Sequence, residues 1–357
     1  MDYSVFQNKK ILITGHSGFK GSWLTLWLLR NGAQITGFAL QAKTECDNYL
    51  LTGLSKKISE HIADIRDKEK LFKAFNEEQP EIVFHLAAQP LVIDGYKNPL
   101  YTFETNTLGT TNVLEAFRLT NSAKLLIVIT TDKVYENNEV NRGYKEDDRL
   151  GGKDPYSASK ASAELITTAY NESYFFSNPN KKVVTVRAGN VIGGGDWSEN
   201  RIIPDCIKAL ENNKDIIIRN PSSTRPWQFV LEPLSGYLLL AAKILKGEDN
   251  LTGAWNFGPL HENNINVEAL VKLLIDDYGA GKYVLKSETN KLKESNYLAL
   301  DISKVMDKLK WKPCLNVQET IHNTIDWYKN YKEVNVFDFC NKQIDDYEKK
   351  WKSVNVS

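Results

Sequence analysis

The chain has 357 residues, of which 42% are hydrophobic and 25% charged. That is ample material for a packed core and more than one domain usually holds, so one large domain with a satellite, or two domains, is expected. Its 45 Lys and Arg residues balance 45 Asp and Glu, which argues against a nucleic-acid or membrane-surface partner, and no apolar stretch reaches the about 18 residues that cross a bilayer. Residues 1–10 are polar and carry no signal-peptide pattern. Cys46, Cys206, Cys314 and Cys340 are widely spaced and form no CxxC pair. They read as free thiols of a cytoplasmic protein, neither disulfides nor metal ligands, and the scattered histidines give no metal site either.

In chain order, residues 10–14 (KILIT) predict a buried strand, then a glycine-rich turn and a helix striped by Trp23, Leu24, Trp27 and Leu28. Residues 34–40 and 57–63 predict a second and a third strand, 67–76 a helix, and 81–86 (EIVFHL) a fourth strand. A helix is expected around 105–119, a strand at 124–130, a helix from about Pro155 and a strand at 182–187. Strands alternating with helices imply right-handed crossovers and a parallel sheet covered on both faces. The fold class is therefore α/β, a doubly wound parallel-sheet Rossmann domain with a smaller, interleaved substrate-binding lobe. Beyond Gly189 the pattern turns irregular, with a short strand closing at Asn256 and Gly258 and helices at 267–278 and 317–331. The expected division is 1–188 for the cofactor domain, with part of 226–258 returning to it. Residues 189–225 and 259–332 would form the lobe, and the charged, aromatic tail 333–357 stays unassigned.

The turn after the first strand reads Thr14-Gly15-His16-Ser17-Gly18-Phe19-Lys20-Gly21. A dinucleotide site needs glycines there for the tight turn, for pyrophosphate approach and for helix–strand packing, and the helix N-terminus offers N–H groups to phosphate. The acidic residue that commonly ends the second strand and holds the adenosine ribose is missing, since that strand ends Gly37-Phe38-Ala39-Leu40-Gln41. Asp64, after the third strand, is the substitute near the adenine. No Arg replaces the missing acid, which favours NAD over NADP.

Tyr156 and Lys160 form YxxxK on the helix that follows Pro155. Four-residue spacing places both side chains on one helix face. A tyrosine is a poor base near its usual pKa of about 10, and an adjacent ammonium favours its phenolate. Such a pair can take an alcohol proton while hydride leaves for nicotinamide. Thr130-Thr131-Asp132-Lys133 ends the preceding strand, at the carboxyl edge where open α/β sheets bind ligands. That position makes it a candidate acid–base set.

These segments resemble the extended short-chain dehydrogenase/reductases and, among them, the nucleotide-sugar 4,6-dehydratases. The resemblance is carried by TGHSGFKGSWL, by HLAAQ at 85–89 and by TTDKVYEN at 130–137. LGGKDPYSASK at 150–160, RAGNVIGGGDW at 187–197 and STRPWQFVLEPLSGY at 223–237 complete it. It implies NAD as cofactor, a nucleotide-sugar substrate with CDP-glucose foremost, and a homodimer, or a tetramer, paired through helices that include the YxxxK one. Ala158, Ala161 and Leu165 are the small apolar face expected to permit that pairing. The cofactor set it implies is Gly15, His16, Gly18, Phe19, Gly21, Asp64, Ile65, Leu86, Ala87, Ala88, Asn106, Tyr156 and Lys160. Asn106 matches a helix-bending asparagine that orders the active-site lysine, while the bulk of His16 and Lys20 in the glycine loop is expected to weaken cofactor retention.

The implied catalytic set is Thr131, Asp132, Lys133, Tyr156 and Lys160. Tyr156 would deprotonate the C4 hydroxyl, Thr131 would hydrogen-bond it, and Asp132 would be the general acid for loss of the C6 hydroxyl. Lys133 would be either the C5 base, which requires a neutral amine, or a group that tunes Asp132. Substrate contacts are expected from Asn190, Arg201 and Arg225 to the diphosphate, and from Trp197 and Trp227 to the sugar or base. Other nucleotide sugars, dTDP-glucose or UDP-N-acetylglucosamine, fit the same motifs. An epimerase sharing Tyr156 and Lys160 and a non-catalytic dinucleotide sensor are the remaining readings. An acid at 132 paired with a second ionisable residue disfavours the first, and retention of Thr131, Tyr156 and Lys160 disfavours the second.

Overall fold

A computed structural model of the chain describes residues 2–138, 142–178, 180–248, 250–286 and 298–355, so that 287–297 of the expected lobe lie outside the described residues. Among the described residues the central sheet has seven parallel strands. They are β1 (Lys10–Thr14), β2 (Gln34–Ala39), β3 (Ser59–Ile62), β4 (Ile82–His85), β5 (Leu125–Ile129), β6 (Lys182–Ala188) and the edge strand Gly253–Phe257. Their spatial order is β3-β2-β1-β4-β5-β6-edge. Chain order therefore reverses between β1 and β4, which opens a crevice at their carboxyl ends.

Both faces of the sheet are covered, so its strands are apolar almost throughout; all five residues of β5 (LLIVI) are buried. On one face, α1 (Phe19–Arg30) brings Trp23, Leu24 and Trp27 into a core shared with Leu234 and Leu238 of the helix Leu231–Leu245. On the other face, Leu71, Phe75, Val113 and Phe117 from the helices Lys68–Glu78 and Gly109–Leu119 form a second core. The doubly wound arrangement is thus present as the sequence implies.

Several segments differ from the sequence reading, among them the helix Ile202–Glu211 in the stretch expected to be irregular. The helix expected around 105–119 starts earlier, at Pro99, and passes through a wide five-residue turn, Glu104–Leu108, before continuing as Gly109–Leu119. The helix Leu231–Leu245 was not foreseen, because eleven of its residues are buried and no polar stripe marks a period. The unassigned tail forms the helix Val336–Asn355, packed on α1 by a hydrogen bond from Trp27 Nε1 to Glu348 (2.7 Å) and by Arg30 paired with Asp345. Finally, Ala161 does not share the outer face with Leu165. It is buried against Val134, Tyr135 and Tyr144, whereas Leu165 is exposed.

Candidate active site

The glycine turn lies where β1 and β4 part. Gly15 has φ 75°, a value that disfavours side chains, and a Cβ there would lie 2.6 Å from the Ala87 nitrogen. A Cβ at Gly21 would lie 2.0 Å from the Gly15 oxygen, so that glycine lets α1 close onto the turn. Gly18 caps α1 without any side-chain bond to its first N–H groups, which leaves those donors for an anion. Leu86, Ala87 and Ala88 border the turn, with Leu86 N bonded to Thr14 O at 3.0 Å. The backbone thus fits a dinucleotide pyrophosphate.

His16 sits differently from its expected role as an obstructing loop side chain. Its ring is buried in the notch that Gly37 leaves beside β2, with Nε2 3.1 Å from Glu60 and the Tyr49 ring edge-on at 5.0 Å. Burial holds the imidazole below its usual pKa, against the pull of Glu60. Asp64 is forked by Arg66 (2.8 and 3.0 Å), which also reaches Glu104 at 2.9 Å, so an adenine group at Asp64 would compete with that guanidinium. Ile65 is buried against Gly109. Phe19 opens α1 with its ring beside Gly193.

The candidate catalytic cluster forms where β5 ends and the helix Pro155–Tyr170 begins. That helix has Pro at its first turn and Asp154 accepting from Ser157 N (3.0 Å), a cap that fixes the start and therefore the direction of Tyr156. Tyr156 is buried, which raises its hydroxyl above the usual value, while the Lys133 charge and a hydrogen bond with Thr131 pull it down. Asp132 is fully buried; its Oδ1 accepts from Thr131 Oγ1 (2.9 Å) and Lys133 Nζ (3.0 Å), and its Oδ2 has no partner. For Lys133, burial lowers the pKa, but the charges of Asp132 and Tyr156 outweigh it and leave the ammonium held above its ordinary value. The lowered pKa expected of a free lysine base is therefore not what this arrangement produces, because the amine faces two acidic groups.

Lys160 also departs from the simple expectation. Its Nζ donates to Ile129 O at 3.0 Å, and burial lowers its pKa to about 8. The cations that act on Tyr156 are Lys133 and Arg201. Asn106 is buried in the wide turn Glu104–Leu108, where it bonds both the N–H (2.8 Å) and the carbonyl (3.0 Å) of Gln89 and reaches Ser159 Oγ at 2.9 Å. It bends the helix and contacts the residue before Lys160.

Among the expected substrate residues, Arg201 pairs with Asp196 (2.7 Å) and acts electrostatically on Tyr156 and Lys20, which places it at the cluster. Arg225 acts on Lys133 in the same way. Asn190 Oδ1 is buried without a partner and follows Gly189, where a Cβ would lie 3.1 Å from Asp132 Oδ2. The indole N–H groups of Trp197 and Trp227 are taken by Cys46 O (2.7 Å) and Ile265 O (3.1 Å); Trp227 is buried in the core, contrary to its expected substrate role, and only the partly buried Trp197 has a ring face to offer. Lys20 was singled out for its bulk, not as a member of the site. Burial lowers its pKa to about 7, with Arg201, Lys160 and Lys133 adding to the effect. Lys20, Lys133, Lys160, Arg201 and Arg225 thus converge around Asp132, a concentration of positive charge suited to phosphates of both a dinucleotide and a nucleotide substrate. Only the tertiary structure shows that convergence, since these residues are far apart in sequence.

Known proteins carry the same pattern. The family model described as GDP-mannose 4,6 dehydratase matches residues 12–324. The CDP-glucose 4,6-dehydratase of Salmonella typhimurium is 42% identical over 352 residues, covering 97% of this chain and 98% of that protein. Two solved structures share the fold. The UDP-glucose 4-epimerase of Thermotoga maritima with UDP-glucose has a TM-score of 0.78 at 23% identity, covering 91% of this chain and 100% of that one. The dTDP-glucose 4,6-dehydratase of Streptomyces venezuelae with NAD bound also has a TM-score of 0.78, at 21% identity, covering 90% of this chain and 97% of that one. With a glycine turn open to pyrophosphate and a Thr-Asp-Lys strand end facing Tyr156, the chain belongs to the GDP-mannose 4,6-dehydratase family, among the extended short-chain dehydrogenase/reductases.

Proposed function

We propose that the chain converts CDP-glucose to CDP-4-keto-6-deoxyglucose with NAD as its cofactor. The observation that carries this reading is Asp132, a buried carboxylate with one oxygen unpartnered, next to Thr131 and Lys133 and facing Tyr156. An epimerase that only moves hydride at C4 has no use for a second acid–base group there; loss of water does. The CDP moiety rests on the 42% identity to the Salmonella enzyme.

Tyr156 takes the proton of the C4 hydroxyl, favoured by the Lys133 and Arg201 charges, while Thr131 hydrogen-bonds the same oxygen. Bound NAD would supply the hydride acceptor for C4 and the source of the hydride returned to C6. The C4 ketone acidifies the C5 hydrogen. Lys133 Nζ donates to Asp132 Oδ1 at 3.0 Å. A proton passed along that bond to Asp132 would yield an acid for the C6 hydroxyl and a neutral amine for the C5 hydrogen at the same moment. The pair thus reconciles an ammonium at rest with a base in the reaction. Asn190, Arg201 and Arg225 take the substrate diphosphate, with guanidinium forks suited to its oxygens. Trp197 presents a ring face to the sugar or base. Gly15, His16, Gly18, Phe19 and Gly21 would cradle the cofactor pyrophosphate with Leu86, Ala87 and Ala88; Asp64 and Ile65 would border the adenine.

The same reading divides the chain into a cofactor part, 1–188 with a share of 226–258, and a lobe from 189–225 and 259–332. It also makes the protein a cytoplasmic homodimer. Leu100, Phe103, Leu108 and Leu165 are exposed on the helices Pro99–Leu119 and Pro155–Tyr170, which pack on each other, and pairing through these helices would cover apolar side chains.

The test is incubation with NAD and, separately, CDP-glucose, dTDP-glucose, UDP-glucose and UDP-N-acetylglucosamine, with mass spectrometry of the product. Loss of one water from CDP-glucose alone supports the reading. Loss from another sugar changes the substrate, and loss from none with NAD bound returns the epimerase and sensor readings.

A further inference from the structure

The spacing that sets Tyr156 and Lys160 on one face of their helix continues for one more turn to Glu164. The function described above gives that residue no task. Glu164 is 1% exposed, and every acceptor direction of its carboxylate is taken. Oε1 accepts from Thr130 Oγ1 (2.5 Å) and Arg187 Nε (2.9 Å), and Oε2 accepts from Thr185 Oγ1 (2.7 Å) and Arg187 Nη2 (3.0 Å). Arg187, 3% exposed, extends the network: its Nη1 donates to Tyr135 OH (2.7 Å) and Glu146 O (3.0 Å), and Tyr135 OH donates to Asn256 Oδ1 at 2.7 Å.

Two features of this network bear on the reaction. Thr130 lies between Ile129, whose carbonyl holds the Lys160 ammonium, and Thr131-Asp132-Lys133, while Tyr135 lies two residues beyond Lys133. Glu164 therefore ties the helix that carries Tyr156 and Lys160 to both sides of the turn that carries the acid–base pair. Glu164 is also the one carboxylate that acts on Lys160 among the groups facing it. The others are Lys20 of α1, another cation, and His85 of β4, which is neutral between Thr14 and Thr110.

We propose that Glu164, clamped by Arg187, is a positioning residue that keeps Lys160 an ammonium and holds the Thr130–Lys133 turn in register with Tyr156. It touches neither substrate nor cofactor. A carboxylate so placed supplies a fixed negative charge to a buried lysine that burial would otherwise neutralise, and the arginine fork keeps that carboxylate from being an isolated buried charge.

The inference rests on the dehydratase reading for its consequences but has a readout of its own. In protein with isotopically labelled lysine, the Lys160 resonance, assigned by loss in Lys160→Arg, is followed against pH by NMR in wild type and in Glu164→Gln. The expected result is a titration moved about one pH unit lower in the variant, with Glu164→Asp restoring most of it. An unmoved titration would overturn the proposal and leave Glu164 a purely structural group. Turnover of CDP-glucose should follow, with the alkaline limb of kcat displaced downward by the same amount and KM little changed. A wild type that loses no water from CDP-glucose would overturn the functional reading alone, since the lysine titration still decides this one. Should Glu164→Gln not fold, Thr130→Val leaves the ion pair in place and removes only the tether to the strand end. A fall in kcat of about tenfold at constant KM is then expected, and wild-type kcat would overturn the proposal.

Discussion

Two buried carboxylates border the candidate site, Glu164 one helix turn beyond Lys160 and Asp132 beside Lys133, and they are treated in opposite ways. Glu164 has both oxygens doubly bonded and an arginine fork for a partner. Asp132, just as deeply buried, has one oxygen bonded to Thr131 and Lys133 and the other left without a partner. A fully satisfied polar network rigidifies, whereas an unsatisfied buried group is costly unless something else completes it. The difference separates framework from candidate reacting part: Glu164 is complete in the protein alone, and Asp132 keeps an oxygen that, on the proposed reading, substrate would complete.

That contrast can be broken most severely at Tyr156. Tyr156→Phe should abolish turnover, a loss of at least about 10²–10⁴ in kcat, with little change in melting temperature, since the ring still fills its site. Near-normal turnover would remove Tyr156 from the role of base. Replacing Arg187 with Leu should act on the other side of the contrast. It leaves the Glu164 carboxylate buried and unpaired, and should destabilise the fold by about 3–5 kcal/mol in denaturant titration. Lys133→Met should do the reverse, with a large loss of turnover and a smaller loss of stability than Arg187→Leu, because Lys133 is partly exposed and Thr131 still donates to Asp132. Equal stability losses in the two variants would erase the distinction. A smaller effect is expected with pH. The catalytic role implied for Lys160 uses its ammonium form, although its charge is not among those acting on Tyr156, and burial lowers its pKa to about 8 with Glu164 opposing. The protonated form is lost as pH rises through that value, so kcat should fall on the alkaline side near pH 8. A flat profile up to pH 10 would contradict the lysine's charge requirement.

Much of this was legible in the sequence for local reasons. Apart from the polar β3, the strands from β1 to β6 are short apolar runs bounded by turns, the glycines of the first turn answer a backbone requirement, and YxxxK is a spacing. What stayed hidden depends on distant partners. The helix Leu231–Leu245 is apolar nearly all round, so it has no period to read. The wide turn at Glu104–Leu108 exists because Asn106 bonds the backbone of Gln89, a contact across 17 residues. Lys20 read as bulk in a loop because its neighbours Arg201, Lys133 and Lys160 come from elsewhere in the chain. Glu164 was within reach: the four-residue step from Tyr156 to Lys160 leads to it, and a charged residue on the buried side of a helix calls for a partner.

The central claim is that Asp132 serves the loss of water and not the oxidation that precedes it. Its most direct test is a single turnover of Asp132→Asn with NAD and CDP-glucose, following reduced nicotinamide by absorbance and water loss by mass spectrometry. The account predicts that reduced cofactor accumulates while water loss slows by about 10²–10⁴. Dehydration at the wild-type rate, or failure to reduce the cofactor at all, would contradict it.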